Sequence, residues 1–150
     1  MADLIEELAG LQPAEVAFVT DGREAGWLPT LRRLTADQAA RPPAAGRPSV
    51  LAHSTHMRYH LANYLAHEQG ERPVPDWAQS WLVPNIAESG WPAYVEGLRQ
   101  EIDDLLAVLR APAPWPEPRL SAAILLVTHL AYHLGALRQV VALVRTSDGP

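Results

Sequence analysis

The segment "THLAYHLGALRQ", residues 128 to 139, sets His129 and His133 four residues apart inside an apolar stretch. In a helix that spacing stacks both imidazoles on one face. Four more histidines, His53, His56, His60 and His67, crowd into "HSTHMRYHLANYLAH". A neutral imidazole in an apolar interior keeps one donor and one acceptor to satisfy. A metal ion removes that cost by taking one ring nitrogen of each histidine as a lone pair, while an outer acceptor takes the other N–H. The His129/His133 pair supplies two ligands and the first cluster a third, and three protein ligands leave a position open for water or substrate. The competing reading makes His129 and His133 core histidines hydrogen-bonded to side chains or water, with the first cluster a solvated edge.

Proline and glycine mark off the elements that carry these residues: "RPPAAGRP" at 41–48, "GERPVPDW" at 70–77 and "APAPWPEP" at 111–118 separate segments of helical periodicity. Four main helices are predicted. The first is broken, with Leu4, Ile5 and Leu8 on one short piece, a restart at Pro13, and "GWLPTLRRL" at 26–34. The second begins at the N-cap Ser49 and runs to about Glu68, before Gly70. The third runs from Trp91 to Arg110, where Val95, Leu98, Ile102, Leu105, Leu106 and Leu109 keep the i, i+3, i+4, i+7 pattern. The fourth runs from Arg119 to Arg145. Stepping at about 100° per residue puts the four histidines of the second helix within about 60° of one another, beside the apolar face of Val50, Met57, Leu61 and Tyr64. On the fourth helix His129 and His133 sit in the middle of the face of Ala122, Leu126, Ala136, Leu137 and Val140. No strand signal is present. The fold expected for residues 1–150 is therefore one all-α domain, an antiparallel four-helix bundle with a long loop between helices 2 and 3, an architecture that builds metal sites from side chains on facing helices.

Composition narrows the chemistry. The chain has no cysteine, which excludes thiolate ligands, a cysteine nucleophile and a disulfide framework. Its basic residues are all arginine, so lysine chemistry is excluded as well. The abundance of Ala, Arg and Pro is what a GC-rich genome produces. With a net charge of −5 and scattered arginines, the footprint of a nucleic-acid binder is missing. No stretch approaches the uninterrupted apolar length that spans a bilayer, and "MADLIEELAG" is acidic where a signal peptide is basic, so a cytoplasmic protein with no membrane partner is expected. A di-iron carboxylate bundle needs Glu from several helices. The fourth helix has no Asp or Glu from Leu120 to Arg145.

"THLAYHLGALRQ" resembles the C-terminal motif of the DinB-like/YfiT-like metal-binding four-helix bundles, and "SVLAHSTHMRYHL" is similar to that family's second helix, in which a ligand histidine follows the starting serine by seven residues. "LTADQAARPP" and "DWAQSW" are similar to one branch of the family, so the resemblance spans nearly the whole chain. It implies His56, His129 and His133 as the ligands of a divalent ion, zinc or nickel first and iron or manganese after them. The sequence departs from the pattern at Ala52, where an acid is frequent, and in the extra histidines His53 and His60. Each of these two is an outer partner, a fourth ligand, a proton carrier or a polar rim residue.

The resemblance also implies a small-molecule reaction, since similar proteins include transferases that use a low-molecular-weight bacterial thiol such as mycothiol or bacillithiol, and a thiol-dependent maleylpyruvate isomerase. A thiol S-transferase or related detoxification enzyme is the leading expectation. A metal-dependent hydrolase and a non-catalytic metal- or ligand-binding stress-response bundle are the alternatives. Arg58 and Arg72 are candidates to hold carboxylates of a thiol cofactor, and Tyr59, Tyr64 and Tyr132 to bring hydroxyls to the mouth, against default roles as surface charges and packing residues. Trp77 and Trp81 either cap the site or anchor the long loop, and Trp27, Trp91 and Trp115 are expected to pack at helix ends. His67 is expected to interact with the helix dipole. Apolar helix faces suit a homodimer.

Overall fold

The computed structural model describes residues 1–11, 17–20 and 26–147, and its described residues form helices and turns without a strand. The order is α1 (Ala2–Ala9), α2 (Trp27–Arg32), α3 (Ala36–Ala40), α4 (Val50–Glu68), two 3₁₀ turns (Gln79–Trp81 and Glu88–Gly90), α5 (Trp91–Arg110) and α6 (Glu117–Ser147). The broken N-terminal region is seen as α1, α2 and α3. The expected restart at Pro13 lies outside the described residues.

Local chemistry explains these boundaries. Ser49 caps α4, its Oγ accepting from the Ala52 N–H at 3.1 Å. Thr35 and Gln38 close a capping box on α3. α6 starts at Glu117, two residues ahead of the position expected, because Pro118 falls in the first turn, where its missing N–H breaks no intrahelical bond. Gly10 ends α1 with φ +72°, and the backbone of Gly26 passes so close that a Cβ there would lie 2.3 Å from the Gly10 nitrogen. Only glycine lets these two segments touch.

α4 packs against both α5 and α6, and α1 packs against the same two helices. Ile5, Leu8, Leu51, Met57, Leu61, Leu98, Ile102, Leu105 and Leu130 are buried between them. Pairing of α4 with α6 is antiparallel, since His53 meets His133, His56 meets His129 and Glu68 meets Arg119. That last pair is nearly dry, with side chains 16% and 14% exposed, and closes one end of the interface. Contrary to expectation, α6 is long and apolar enough to cross a bilayer by length and composition. Histidine, threonine and glycine interrupt its apolar run without making it polar. It lies against α1 and α4 and leaves Ile124, Leu125, Tyr132 and Leu143 exposed.

Candidate metal centre

Five of the six histidines meet midway along the α4/α6 interface. α4 contributes His53, His56 and His60, one turn apart in succession, and α6 contributes His129 and His133. His53, His56 and His133 are 7%, 6% and 3% exposed, and His60 and His129 are half-buried. The His129 ring lies 3.7 Å from that of His60 and 4.4 Å from that of His133, centre to centre, and His56 lies 4.7 Å from both His60 and His133. His53, open to a rim role on sequence grounds, is buried with the others. His67 stands apart in the last turn of α4.

One nitrogen pair has the spacing of a shared ion. His56 Nε2 and His129 Nε2 are 3.2 Å apart, and two imidazole nitrogens bound to one tetrahedral zinc stand about 3.3 Å apart, given Zn–N bonds of about 2.0–2.1 Å. Adding His60, the three donor nitrogens lie within 4.8 Å of one another, a three-histidine group able to hold a metal ion. His133 turns its Nδ1 to His53 Nδ1 at 2.9 Å.

The tautomer of His56 follows from its neighbours. Ser80 Oγ donates its one proton to the Trp77 carbonyl at 2.6 Å. It must therefore accept from His56 Nδ1–H, 2.7 Å away. His56 Nε2 is left with its lone pair directed at His129, the form a metal ligand takes. Burial first, and neighbouring imidazoles second, push His56 and His60 down to about 4 and His133 down to about 3. Burial also lowers His53 and His129. The cluster is thus neutral at pH 7, with lone pairs free for coordination.

The loop between α4 and α5 is part of the centre. Asp76 Oδ1 accepts from the N–H groups of Ala78 and Gln79 and so shapes the turn that carries Ser80. Tyr59 Oη accepts from the Asp76 N–H at 2.7 Å and fastens the turn to α4. Trp81 stacks on His56 at 4.1 Å, and Trp77 on His60 at 4.8 Å. These tryptophans both anchor the loop and cover the histidines. Ser80, 1% exposed, had no sign in the sequence beyond its place between two tryptophans in "DWAQSW".

Other candidates are engaged elsewhere. Arg58 donates its Nε to both oxygens of Glu101, at 3.0 and 2.9 Å, and lies 4.6 Å over the Tyr94 ring. Arg72 donates to the carbonyls of Glu71 and His67. Trp27 and Trp91 are buried in the core, and Trp115 stacks under Arg119. Tyr132 is exposed.

A hollow of about 570 Å³ opens beside His60 and His129, walled by Tyr64, Trp77, Leu125 and Leu126. The centre thus joins metal-ligand chemistry to space for a small molecule. No curated protein and no solved structure matches this chain. A family model of the DinB superfamily matches residues 19–137, a span that takes in all six histidines. The chain belongs to the DinB superfamily.

Proposed function

We propose that this protein is a metal-dependent enzyme acting on a small molecule, a thiol S-transferase or related detoxification enzyme, in which His56, His129 and His133 hold a divalent ion within an antiparallel four-helix bundle formed by α1, α4, α5 and α6. The 3.2 Å approach of two histidine nitrogens, one of them stripped of its proton by the Ser80 relay, carries this reading. An ion there, zinc or nickel ahead of iron or manganese, is a Lewis acid that makes a thiol or water nucleophilic at neutral pH. Ser80 orients His56. His53 does the same for His133: a proton on His133 Nδ1, donated to His53, leaves His133 Nε2 as the lone pair. Trp77 and Trp81 keep water from one side of the cluster. The hollow beside His60 and His129 receives the electrophile, and a low-molecular-weight thiol such as bacillithiol or mycothiol is the co-substrate.

The placement of His60 favours it as an alternative third ligand, since its donor nitrogen falls within the 4.8 Å group. Hydrolysis is the second reading of the reaction, favoured because no arginine lines the hollow to hold a carboxylate-bearing thiol.

Elemental analysis of untagged protein tests the site. Wild type is expected to hold near-stoichiometric metal that His56→Ala and His129→Ala both lose. Loss in His133→Ala with retention in His60→Ala supports the proposed triad, and the reverse pattern makes His60 the third ligand. Thiol-dependent consumption of a model electrophile by the loaded protein supports S-transfer, thiol-independent turnover of esters or amides supports hydrolysis, and a folded wild type that cannot be loaded with any metal overturns the proposal.

A further inference from the structure

Among the described residues α6 packs on α1 and α4 through one side, and only 33% of its most apolar stretch is buried. Its other side is exposed in a regular pattern. Ser121, Thr128, Gly135 and Ala142, seven residues apart in succession, form one exposed row, and Leu125, Tyr132 and Gln139 alternate with them. At about 100° per residue these positions share about 100° of arc, a heptad stripe. None of them is charged, and Arg138 is the single Asp, Glu, Lys or Arg between Leu120 and Val144. A helix face that meets water is ordinarily polar. Leu125 and Tyr132 instead stand 68% and 70% exposed, with Ile124 and Leu143 beside them.

The stripe is complementary to a second copy of itself. When two helices run antiparallel about a two-fold axis, the small row of one faces the large row of the other. Each layer can then set a large residue of one copy on a small residue of the next: Tyr132 on Gly135, Leu125 on Ala142 and Gln139 on Thr128. Gly135 has the room, since no atom lies within 4 Å of where its Cβ would stand. Large facing small is how packed layers interdigitate. Parallel pairing would put tyrosine on tyrosine and leave a gap at the glycines. The stripe is about 32 Å long, and two copies in contact along it bury on the order of 600 Å² each, the lower end of specific interfaces. A membrane surface suits this face less. Helices that lie among headgroups carry Lys and Arg on the polar side, whereas this chain has a net charge of −5 and no lysine.

We infer that the exposed face of α6 is the interface of an antiparallel homodimer. This goes beyond the metal reading and does not depend on it. It bears on the hollow all the same, because Ala122, Leu125 and Thr128 belong both to this exposed side and to the hollow's wall. Gln139 of the second copy then stands beside Thr128, and the second copy closes a side of the hollow that one chain leaves open.

Sedimentation velocity across micromolar concentrations tests the inference. Wild type is expected to reach twice the 16.4 kDa of the chain. Gly135→Glu and Ala142→Glu should each stay monomeric where wild type is dimeric, with helix content by circular dichroism unchanged. Both positions are exposed in the single chain, and glycine is a poor helix former to begin with. Ala107→Glu, on the exposed side of α5, should keep the dimer. Because the chain has no cysteine, a short bismaleimide should link an equimolar mixture of Thr128→Cys and Gln139→Cys proteins and neither variant alone. A wild type that stays monomeric, a dimer unchanged by both glutamates, or cross-linking of either cysteine variant alone would overturn the inference. Binding of monomeric wild type to phosphatidylcholine–phosphatidylglycerol vesicles would overturn it too and assign the face to lipid.

Discussion

The Glu7 carboxylate accepts four hydrogen bonds from three consecutive residues, whereas His56 Nε2 and His129 Nε2 turn to each other with a His60 nitrogen beside them. Both regions bury titratable groups. At Glu7 the backbone N–H groups of Phe18, Val19 and Thr20 and the Thr20 hydroxyl, at 2.6–2.9 Å, complete the carboxylate from within the chain. Burial raises its pKa, but those bonds outweigh burial and hold it below the ordinary value. At the histidines desolvation prevails, and the ring nitrogens pair only with one another and with Ser80, so each ring stays neutral. The first arrangement is finished by folding, and the second leaves three ring nitrogens grouped where a metal ion could be held. Buried polarity therefore marks function only where the chain leaves it incomplete.

The widest separation of the two regions should come from metal itself. Zinc at about a thousandfold excess over its dissociation constant should stabilise stripped protein by about 4 kcal/mol, a rise in Tm on the order of 10 °C. His56→Ala should abolish the rise and Glu7→Gln should keep it, as differential scanning fluorimetry would show; an equal rise in His56→Ala would erase the distinction. A smaller effect separates the regions by pH. Glu7→Gln should cost about 2 kcal/mol at neutral pH through weakened charged hydrogen bonds. Because the folded pKa of Glu7 is depressed, its contribution is present above the unfolded value near 4.5 and is lost as pH falls through the folded one. The histidines are also depressed, from 6.5 toward 4 and 3, so stripped protein should lose stability from about pH 6.5 downward as the unfolded chain takes up protons first. Denaturant melts across pH should show both acid limbs in wild type and only the histidine limb undiminished in Glu7→Gln. The most local change is expected from Ser80→Ala, which should weaken metal affinity about 10-fold through the freed His56 ring. Chelator competition would measure it, and wild-type affinity in this variant would show that the relay does not set the ligand.

How much of this was legible in the sequence depended on range. The limits of α5, the cap at Ser49 and the inward face of His129 and His133 were readable because helical periodicity and caps are local. The start of α6 was misplaced because Pro116 and Pro118 read as breakers when a first turn tolerates proline. Arg58 read as a free cation because Glu101, its partner, is 43 residues away. Ser80 was invisible for a related reason: its role depends on the loop folding back over α4, which the Tyr59–Asp76 bond secures across 17 residues. Glu7 was equally silent, since its partners are mostly backbone groups that every residue type supplies.

The loop that carries Ser80 and Trp81 lies outside the helices that carry the histidines. Its grip on α4 consists of a Tyr59 hydrogen bond, the Ser80 bond to His56 and two stacked indoles, so it can lift without disturbing the leucine core. Local openings of this kind occur far more often than global unfolding. If His56 holds an ion as proposed, each lifting of the loop frees the His56 ring from Ser80 and Trp81, so the loop's opening and the hollow beside His129 together give the ion two ways out that leave the helices packed.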